Sequence, residues 1–161
     1  MRRLFIAIEL KPEISNEIWT SISKIKAKVN GAFVEKEKLH ITLLFLGDPK
    51  LSNGDIINAV KSQTIDRDIE ISGLDAFPSW AGPRLLFIDI KTNLSDVYRE
   101  LCQKLGVKEE RSFRPHITIC RIKGNMASKM ELQTSFYVDE RFRVKKLSLF
   151  DSDFRNYHQL Y

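Results

Sequence analysis

The chain has 161 residues, of which 43% are hydrophobic and 29% charged, and its formal net charge is +5. This composition predicts one folded, soluble domain over 1–161 and excludes a disordered chain, while the positive charge favours a polyanionic partner. Two cysteines are too few for a disulfide framework, and the apolar run in MRRLFIAIEL is too short for a signal peptide or a membrane span. We therefore expect an unprocessed cytoplasmic protein.

The first part of the chain predicts a strand, a helix and a second strand. Residues 3–10 alternate and form the predicted first strand. Pro12 is a suitable first-turn residue, and isoleucines recur at helical spacing after it, so we predict a helix over 12–29 that Asn30 and Gly31 end. A short extended segment over 32–35 then leads into a strand over 39–46.

Helices and strands continue to alternate in the remainder of the chain. We predict helices over 52–63, 93–105 and 127–134, strands over 68–76, 85–90, 116–122, 143–150 and 157–161, and loops over 77–84 and 108–115. The mixed order of helices and strands, with some strands as hairpin-like neighbours, indicates an α+β fold rather than a doubly wound parallel sheet.

The tripeptide His-Ile-Thr occurs twice, in LHITLLFLG and in PHITIC, and it uses two of the three histidines in the chain. Each copy follows a strand and a helix, which predicts two similar lobes related by a pseudo-twofold axis. Because side chains at i and i+2 share one face of a strand, His40 and Thr42 project together, as do His116 and Thr118. In the first copy, the residues that alternate with these, Ile41, Leu43 and Phe45, are expected to point into the core.

Two imidazoles and two hydroxyls that face each other suit phosphodiester chemistry. One imidazole can act as a base while the other acts as an acid, and hydroxyls can bind phosphate oxygens. One H-x-T on a strand is more often a packed histidine beside a threonine, but the paired occurrence favours a functional site. A metal site is a weaker interpretation because no further ligand pattern accompanies the histidines, and a Ser-His-Asp or Cys-His triad is weaker still.

The two motifs, LHITLLFLG and RPHITICRIK, resemble those of the two-histidine phosphoesterase superfamily, and within it the RNA 2′,3′-cyclic phosphodiesterases, or 2′-5′ RNA ligases. RRLFIAIEL, FPSWAGPRLLFIDI and the closing VKKLSLFDSDF extend the resemblance along nearly the whole chain. The resemblance implies a bilobal LigT-like α+β fold with mostly antiparallel sheets around a central groove and helices outside. It also implies metal-independent hydrolysis of RNA 2′,3′-cyclic phosphate ends to 2′-phosphate ends, with no cofactor.

By position, the resemblance makes His40 and His116 the catalytic pair and Thr42 and Thr118 the phosphate-binding hydroxyls. The family usually assigns the first histidine as proton donor and the second as acceptor. Arg121 stands where the family tends to place an arginine, although strict alternation turns it away from the site unless the strand twists, bulges or ends. Weaker candidates are Lys36, Lys38 and Arg114 at the groove rim and Phe5, Trp80 and Phe113 for base stacking. Cys120 is expected to be a packed thiol, and His158 is expected to be structural or exposed.

Three functions remain open on the sequence. Hydrolysis of cyclic phosphate at RNA 3′ ends is the leading hypothesis, with the protein acting as a monomer. Ligation through a 2′-5′ bond uses the same site with an RNA 5′-hydroxyl in place of water, and cleavage of such a bond is the reverse of that reaction. A non-catalytic module that binds RNA ends or nucleotides is the alternative from another class.

Overall fold

The computed structural model describes residues 3–110, 113–152 and 157–161, and of Tyr157 the backbone alone. Arg111 and Ser112 of the loop predicted before the second motif, and residues 153–156 of the closing segment, lie outside the described residues. Those described form, in chain order, β1 (Leu4–Glu9), α1 (Pro12–Ile25), β2 (Val29–Phe33), β3 (His40–Gly47), α2 (Asn53–Ser62), β4 (Arg67–Phe77), β5 (Leu85–Ile90), α3 (Ser95–Leu105), β6 (His116–Met126), α4 (Lys129–Ser135), β7 (Asp139–Val144), β8 (Ser148–Ser152) and β9 (Tyr157–Gln159).

The strands form an antiparallel sheet in the order β7-β4-β5-β6-β3-β1-β8-β9, and β2 pairs with β6 beside this path. The centre lies between β6 and β3, which are the two H-x-T strands. Counted outward from this centre, the strands of the two halves correspond in order. Strands β3, β1, β8 and β9 of one half match β6, β5, β4 and β7 of the other. Helix α1 follows β1 and helix α3 follows β5, so the repeat predicted from the sequence describes two related halves of the sheet.

Helix α1 is shorter than predicted. Its isoleucines, from Ile14 to Ile25, are buried, but the helix ends at Ile25 and a 3-10 turn, Lys26–Lys28, leads into β2. Gly31 is therefore a strand residue and not a helix stop. A Cβ at Gly31 would lie 2.6 Å from the Arg121 carbonyl oxygen and from the Cys120 sulfur, so the glycine allows β2 to approach β6 closely.

The strand predicted over 143–150 is wrong as a single element. The chain instead forms β7 at one edge of the sheet and β8 in the other half. Strand β7 escaped detection because its sequence, DERFRV, is mostly charged, and only Phe142 and Val144 are buried. As an edge strand it presents Arg141 and Arg143 to acidic residues on and just before β4, with which they form ion pairs.

The other helices follow their sequence signals. The Ser52 side chain accepts a hydrogen bond from the backbone N–H of Asp55 at the start of α2. Gly106 ends α3 with φ of 63°, a left-handed conformation that favours glycine. No helix in the described part of the chain is long and apolar enough to cross a membrane.

Candidate active site

The two H-x-T motifs meet at the centre of the sheet. Thr42 of β3 pairs directly with His116 of β6. Because these strands run antiparallel, the register that continues from this pair brings Thr118 towards His40. The four side chains singled out by the repeated tripeptide thus lie on neighbouring strands, and Ile41 and Ile117 between them are fully buried on the opposite face.

A matching β-bulge interrupts each H-x-T strand. In the pairing of β1 with β3, Ala7 lies opposite Thr42 and Ile6 opposite Leu44, so Leu43 is an extra residue. In the pairing of β5 with β6, Ile119 is extra in the same way. An extra residue reverses the alternation of side chains beyond it. The segments HITLLF and HITICR consequently share one burial pattern, in which the fourth and fifth residues are both buried and the sixth is exposed.

The bulges decide where Phe45 and Arg121 point. Phe45 was expected in the core, but it pairs with Phe5 on the His40 face and is 59% exposed, so that prediction is wrong. Arg121 needed a twist, bulge or strand end to share a face with His116, and the bulge at Ile119 provides it. Phe45 and Arg121 occupy corresponding positions in the two halves, an aromatic ring in one and a guanidinium in the other.

His40 is held by three contacts. Its Nδ1 lies 2.7 Å from the Lys38 carbonyl oxygen, and its Nε2 lies 3.0 Å from Thr42 Oγ1. A carbonyl only accepts hydrogen bonds, so Nδ1 carries the proton and Nε2 of the neutral ring accepts from the threonine hydroxyl. The ring also stacks on Phe5 with centroids 5.0 Å apart. Burial lowers the pKa of His40 most strongly, the Lys38 carbonyl opposes this shift, and the nearby His116 lowers the pKa further.

His116 makes one contact of the same kind as His40, but different residues surround its ring. Its Nδ1 donates to the Arg114 carbonyl oxygen at 2.9 Å, two residues before it, as His40 does to the carbonyl of Lys38. The Arg114 side chain forms ion pairs with Asp75 at 2.9 Å and Asp89 at 3.4 Å, and its guanidinium lies 4.8 Å above the Phe87 ring. Phe87 in turn meets the His116 ring edge-on at 5.5 Å. Arg114, expected to be a rim or surface charge, therefore anchors the start of β6.

An aromatic stack extends from His40 along its face of the sheet. Phe5 lies between the rings of His40, Phe45 and Phe150, with the Phe45 ring 6.3 Å away at an interplanar angle of 3°. Phe5 is buried beneath these neighbours, whereas the Phe45 ring is open to solvent. The other two rings considered for base stacking make different contacts, because Phe113 stacks on Tyr98 and Trp80 donates to Asp75.

A groove of about 690 Å³ adjoins His40, and Phe45 is not among the described residues that line it. Lys36 and Lys38 line it together with Glu9 of β1 and Asn16 of α1. Among the described residues its lining includes His40 but nothing from β6. Its volume is in the range of small-molecule binding sites.

Comparison with known proteins identifies the family. Residues 14–155 match the sequence profile of the 2′-5′ RNA ligase superfamily. The chain belongs to the 2′-5′ RNA ligase superfamily. It is 34% identical over 162 residues to the RNA 2′,3′-cyclic phosphodiesterase of Methanocaldococcus jannaschii, which covers 93% of this chain and 91% of the relative. It is 31% identical over 128 residues to that of Archaeoglobus fulgidus, covering 75% of this chain and 73% of the relative.

Solved structures show the fold of the superfamily in this chain. TT0787 of Thermus thermophilus superposes with a TM-score of 0.82 at 21% identity, covering 100% of this chain and 96% of that one. E. coli LigT complexed with 3′-AMP superposes with a TM-score of 0.74 at 20% identity, covering 99% and 95%. The predicted family and the predicted LigT-like α+β fold are therefore confirmed.

The two remaining candidates of this superfamily member differ in burial, since Cys120 lies in the core and His158 is exposed. Cys120 is fully buried, and burial raises the pKa of its thiol to about 11, so it stays protonated at neutral pH. His158 lies on β9 opposite Asp151, away from the H-x-T strands. Within 3–110, 113–152 and 157–161 there is no cluster of three or more His, Cys, Asp or Glu residues that could hold a metal ion.

Sequence reasoning missed several residues around the pair. Glu9 pairs with His40 and Asp89 pairs with His116, so a carboxylate stands on the strand beside each histidine. Phe45 was assigned to the wrong face. The matching order of residue types in HITLLF and HITICR was the available signal, because both place two consecutive apolar residues after the threonine.

Proposed function

We propose that this chain hydrolyses 2′,3′-cyclic phosphates at RNA 3′ ends to 2′-phosphates, with His40 and His116 as base and acid and without a metal ion. The observation that carries the proposal is the pairing of the two H-x-T strands at the sheet centre, with both imidazoles held through Nδ1. The relatives from M. jannaschii and A. fulgidus are RNA 2′,3′-cyclic phosphodiesterases, which supports the enzyme class.

The reaction needs one proton accepted and one donated. A water oxygen attacks phosphorus while a histidine Nε2 takes its proton. The bond from phosphorus to O3′ breaks, and the other histidine protonates the departing O3′, so that the phosphate remains on O2′. Because Nδ1 of each ring is hydrogen-bonded to a backbone carbonyl, Nε2 is the nitrogen left for proton transfer in both. At His40 the Thr42 hydroxyl occupies this nitrogen, and it must turn away from the ring before Nε2 can accept the proton of water.

We assign the base to His40. A lowered pKa keeps its imidazole neutral at neutral pH, and only the neutral ring can accept the proton of water. His116 is then the acid that protonates O3′. This assignment reverses the order that the family resemblance implies, and it is specific to hydrolysis, because the two roles exchange in the reverse direction.

Thr42, Thr118 and Arg121 are the groups proposed to bind the non-bridging phosphate oxygens. Thr42 Oγ1 lies 3.0 Å from His40 Nε2, so a phosphate that reaches this nitrogen also reaches the hydroxyl. Arg121 shares the face of His116 and Thr118 and is exposed. A guanidinium and two hydroxyls stabilise the charge that grows on the phosphate in the transition state.

The base of the terminal nucleotide is proposed to stack on Phe45. This ring is exposed, lies parallel to Phe5 and belongs to the face that carries His40 and Thr42. Stacking on aromatic rings accepts every base, which suits an enzyme that acts on chain ends. Action as a monomer in the cytoplasm stays a prediction.

The test is incubation with a short RNA that ends in a 2′,3′-cyclic phosphate, in excess chelator. We expect a product that carries a 2′-phosphate, identified by its mass and by its resistance to a 3′-specific phosphatase. His40→Ala and His116→Ala should each lower kcat by at least about 100-fold, the usual contribution of a general acid or base. His158→Ala is the matched control and should retain wild-type turnover.

Three outcomes argue against the proposal. Near-normal turnover in either His40→Ala or His116→Ala would contradict the two-histidine mechanism. Loss of activity in chelator that added metal restores would indicate a metal site. Binding of the RNA without any product across the pH range would indicate the binding module.

A further inference from the structure

We propose that the groove beside His40 binds the base of the penultimate nucleoside of the RNA, the one before the cyclic-phosphate nucleotide, and that Glu9 makes guanine the preferred base there. The inference rests on the proposed function, since it adds a base preference to the same hydrolysis. It assigns to Glu9 a role in substrate selection, which the proton transfers of the histidine pair do not require.

The position of the groove points to the nucleoside next to the RNA end. His40 is part of the lining, so the groove begins beside the reacting phosphate. The base of the terminal nucleotide is assigned to Phe45, which is not among the described residues that line the groove. The nearest remaining parts of the RNA are the preceding phosphate and its nucleoside. Lys36 lines the groove, where its ammonium group can bind that phosphate.

An aromatic ring in the lining favours a base as the occupant. Phe150 lines the groove, and its ring stacks on the buried ring of Phe5 with centroids 5.3 Å apart and an interplanar angle of 16°. Phe5 therefore holds this half-buried ring in place. Bases of single-stranded RNA are bound by stacking on such rings and by hydrogen bonds to their Watson–Crick edges. A ribose has no flat face to stack in this way.

Glu9 presents a carboxylate of fixed orientation to the same groove. Its Oε2 accepts hydrogen bonds from Ser148 Oγ at 2.6 Å and from Gln159 Nε2 at 3.2 Å, and Ser148 is buried. Neither donor occupies Oε1, which can accept hydrogen bonds from a ligand. A carboxylate repels phosphate, so the part of the RNA beside Glu9 is one that carries N–H or O–H donors. A side chain that is already held in place loses little entropy when the ligand binds.

Guanine is the base whose edge complements a carboxylate. Its N1–H and N2 amino groups are adjacent donors, and the two lone pairs of Glu9 Oε1 can accept from both. Adenine and cytosine place a ring-nitrogen acceptor beside their amino group, and uracil places a carbonyl on each side of N3–H. These acceptors repel the carboxylate oxygens. Asn16 also lines the groove, and its amide can donate to guanine O6.

The experiment compares four RNAs that share length and terminal cyclic-phosphate nucleotide and differ only in the penultimate base. We expect KM for the guanine RNA to be at least about tenfold below the others, the scale of discrimination by two hydrogen bonds to one base edge. The kcat should be the same for all four, because the contact lies away from the reacting atoms. Inosine, which keeps N1–H but lacks the N2 amino group, should raise KM about threefold above guanine.

Glu9→Gln tests the carboxylate with almost no change in shape. An amide N–H₂ then replaces one acceptor oxygen, so the ratio of KM for the uracil RNA to KM for the guanine RNA should fall to within about twofold. Both KM values come from one variant, so partial loss of folded protein does not alter the ratio. The matched control is Glu17→Gln, an exposed position of α1 that is not among the described residues lining the groove, and it should keep the wild-type ratio.

Three results would overturn the inference. Equal KM values for the four RNAs would mean that the groove does not distinguish bases. A guanine preference that survives Glu9→Gln would assign the recognition to another residue. A preference that disappears when 2′-deoxyguanosine replaces the penultimate guanosine would place the ribose, and not the base, beside Glu9. If wild type hydrolyses none of the RNAs, the proposed function itself fails, whereas hydrolysis of all four with one KM removes the base preference alone.

Discussion

Phe45 differs from the other residues of the first H-x-T strand because its ring is apolar and yet faces solvent. It is 59% exposed, and its inner side rests on Phe5, which also supports His40. A ring placed in this way loses little entropy when a base stacks on it. Its counterpart across the pseudo-twofold axis is Arg121, so the two halves of the site differ most at this position.

Replacement of Phe45 by alanine should weaken substrate binding more than catalysis. Stacking of a base on an aromatic ring contributes about 1–3 kcal/mol, so we expect KM for a cyclic-phosphate RNA to rise about tenfold with little change in kcat. Phe45→Trp should keep a low KM. Phe77 is similarly exposed, at 57%, and Phe77→Ala is the control. Equal KM values for Phe45→Ala and Phe77→Ala would remove Phe45 from the binding surface.

The lowered pKa of His40 makes a second prediction at this scale. An imidazole ordinarily titrates near pH 6.5, and burial of His40 shifts its protonation to lower pH. If His40 is the base, kcat/KM should show no decline as pH falls to 6.5 and should decline only below that value, because the free enzyme loses the neutral ring there. NMR titration of the imidazole C–H signal, assigned through His40→Ala, should give the same pKa. A decline that begins above pH 6.5 would assign the base elsewhere.

The bulges in β3 and β6 show what a residue pattern can and cannot determine. Alternation correctly placed His40 with Thr42, because both precede the extra residue. It failed at Phe45, which lies beyond it. A bulge is set by the partner strand as much as by its own residues, and Leu43 and Ile119 are ordinary strand residues. The same limit explains Gly31, whose place beside Cys120 and Arg121 follows from the approach of β2 to β6.

Strand β7 and the ion pairs of Arg114 that anchor β6 could not be predicted from the sequence, for a different reason. Edge strands bury few residues, so DERFRV carries too weak an apolar signal to be detected. Arg114 is bound to Asp75 of β4 and Asp89 of β5, which are far away in sequence. Contacts of that kind are fixed by the order of strands in the sheet. The repeated tripeptide was informative because its residues are local in sequence and its two copies lie on paired strands.

Arg114 should act as a positioning residue for His116. Its carbonyl accepts the Nδ1 proton of the imidazole, while its side chain is tied to two other strands. We expect Arg114→Ala to lower kcat about tenfold with KM within about twofold, because the ring loses its orientation while phosphate contacts remain. Steady-state kinetics would separate the two parameters.

Two further variants distinguish this role from a general loss of stability. Asp75→Asn should reproduce the fall in kcat, and the double variant should be little worse than Arg114→Ala, since both changes break one network. Arg141 also forms a surface ion pair, with Glu70, so Arg141→Ala is the matched control and should have normal kcat. A rise in KM without a fall in kcat would make Arg114 a substrate-binding residue instead.

At the scale of the whole molecule, the two halves share one sheet but differ in surface. One half adds a groove with two lysines and an aromatic ring, and the other adds Arg121 and an anchored histidine. A symmetric framework with unlike sides suits a reaction whose entering and leaving oxygens must be treated differently.

The net charge of +5 should make recognition of RNA, but not of a single nucleotide, strongly dependent on salt. Each phosphate bound by a cationic side chain releases counterions, and for single strands the logarithm of affinity falls with the logarithm of salt by about 0.7 per phosphate. We therefore expect kcat/KM for a ten-nucleotide cyclic-phosphate RNA to fall more steeply with NaCl than kcat/KM for 2′,3′-cyclic AMP. The kcat at saturating substrate should stay constant, because screening weakens encounter and binding rather than the chemical step on bound substrate. Equal slopes for the two substrates would mean that the enzyme contacts only the cyclic phosphate and its nucleoside, and that the remaining positive charge of the surface has no part in holding the RNA chain.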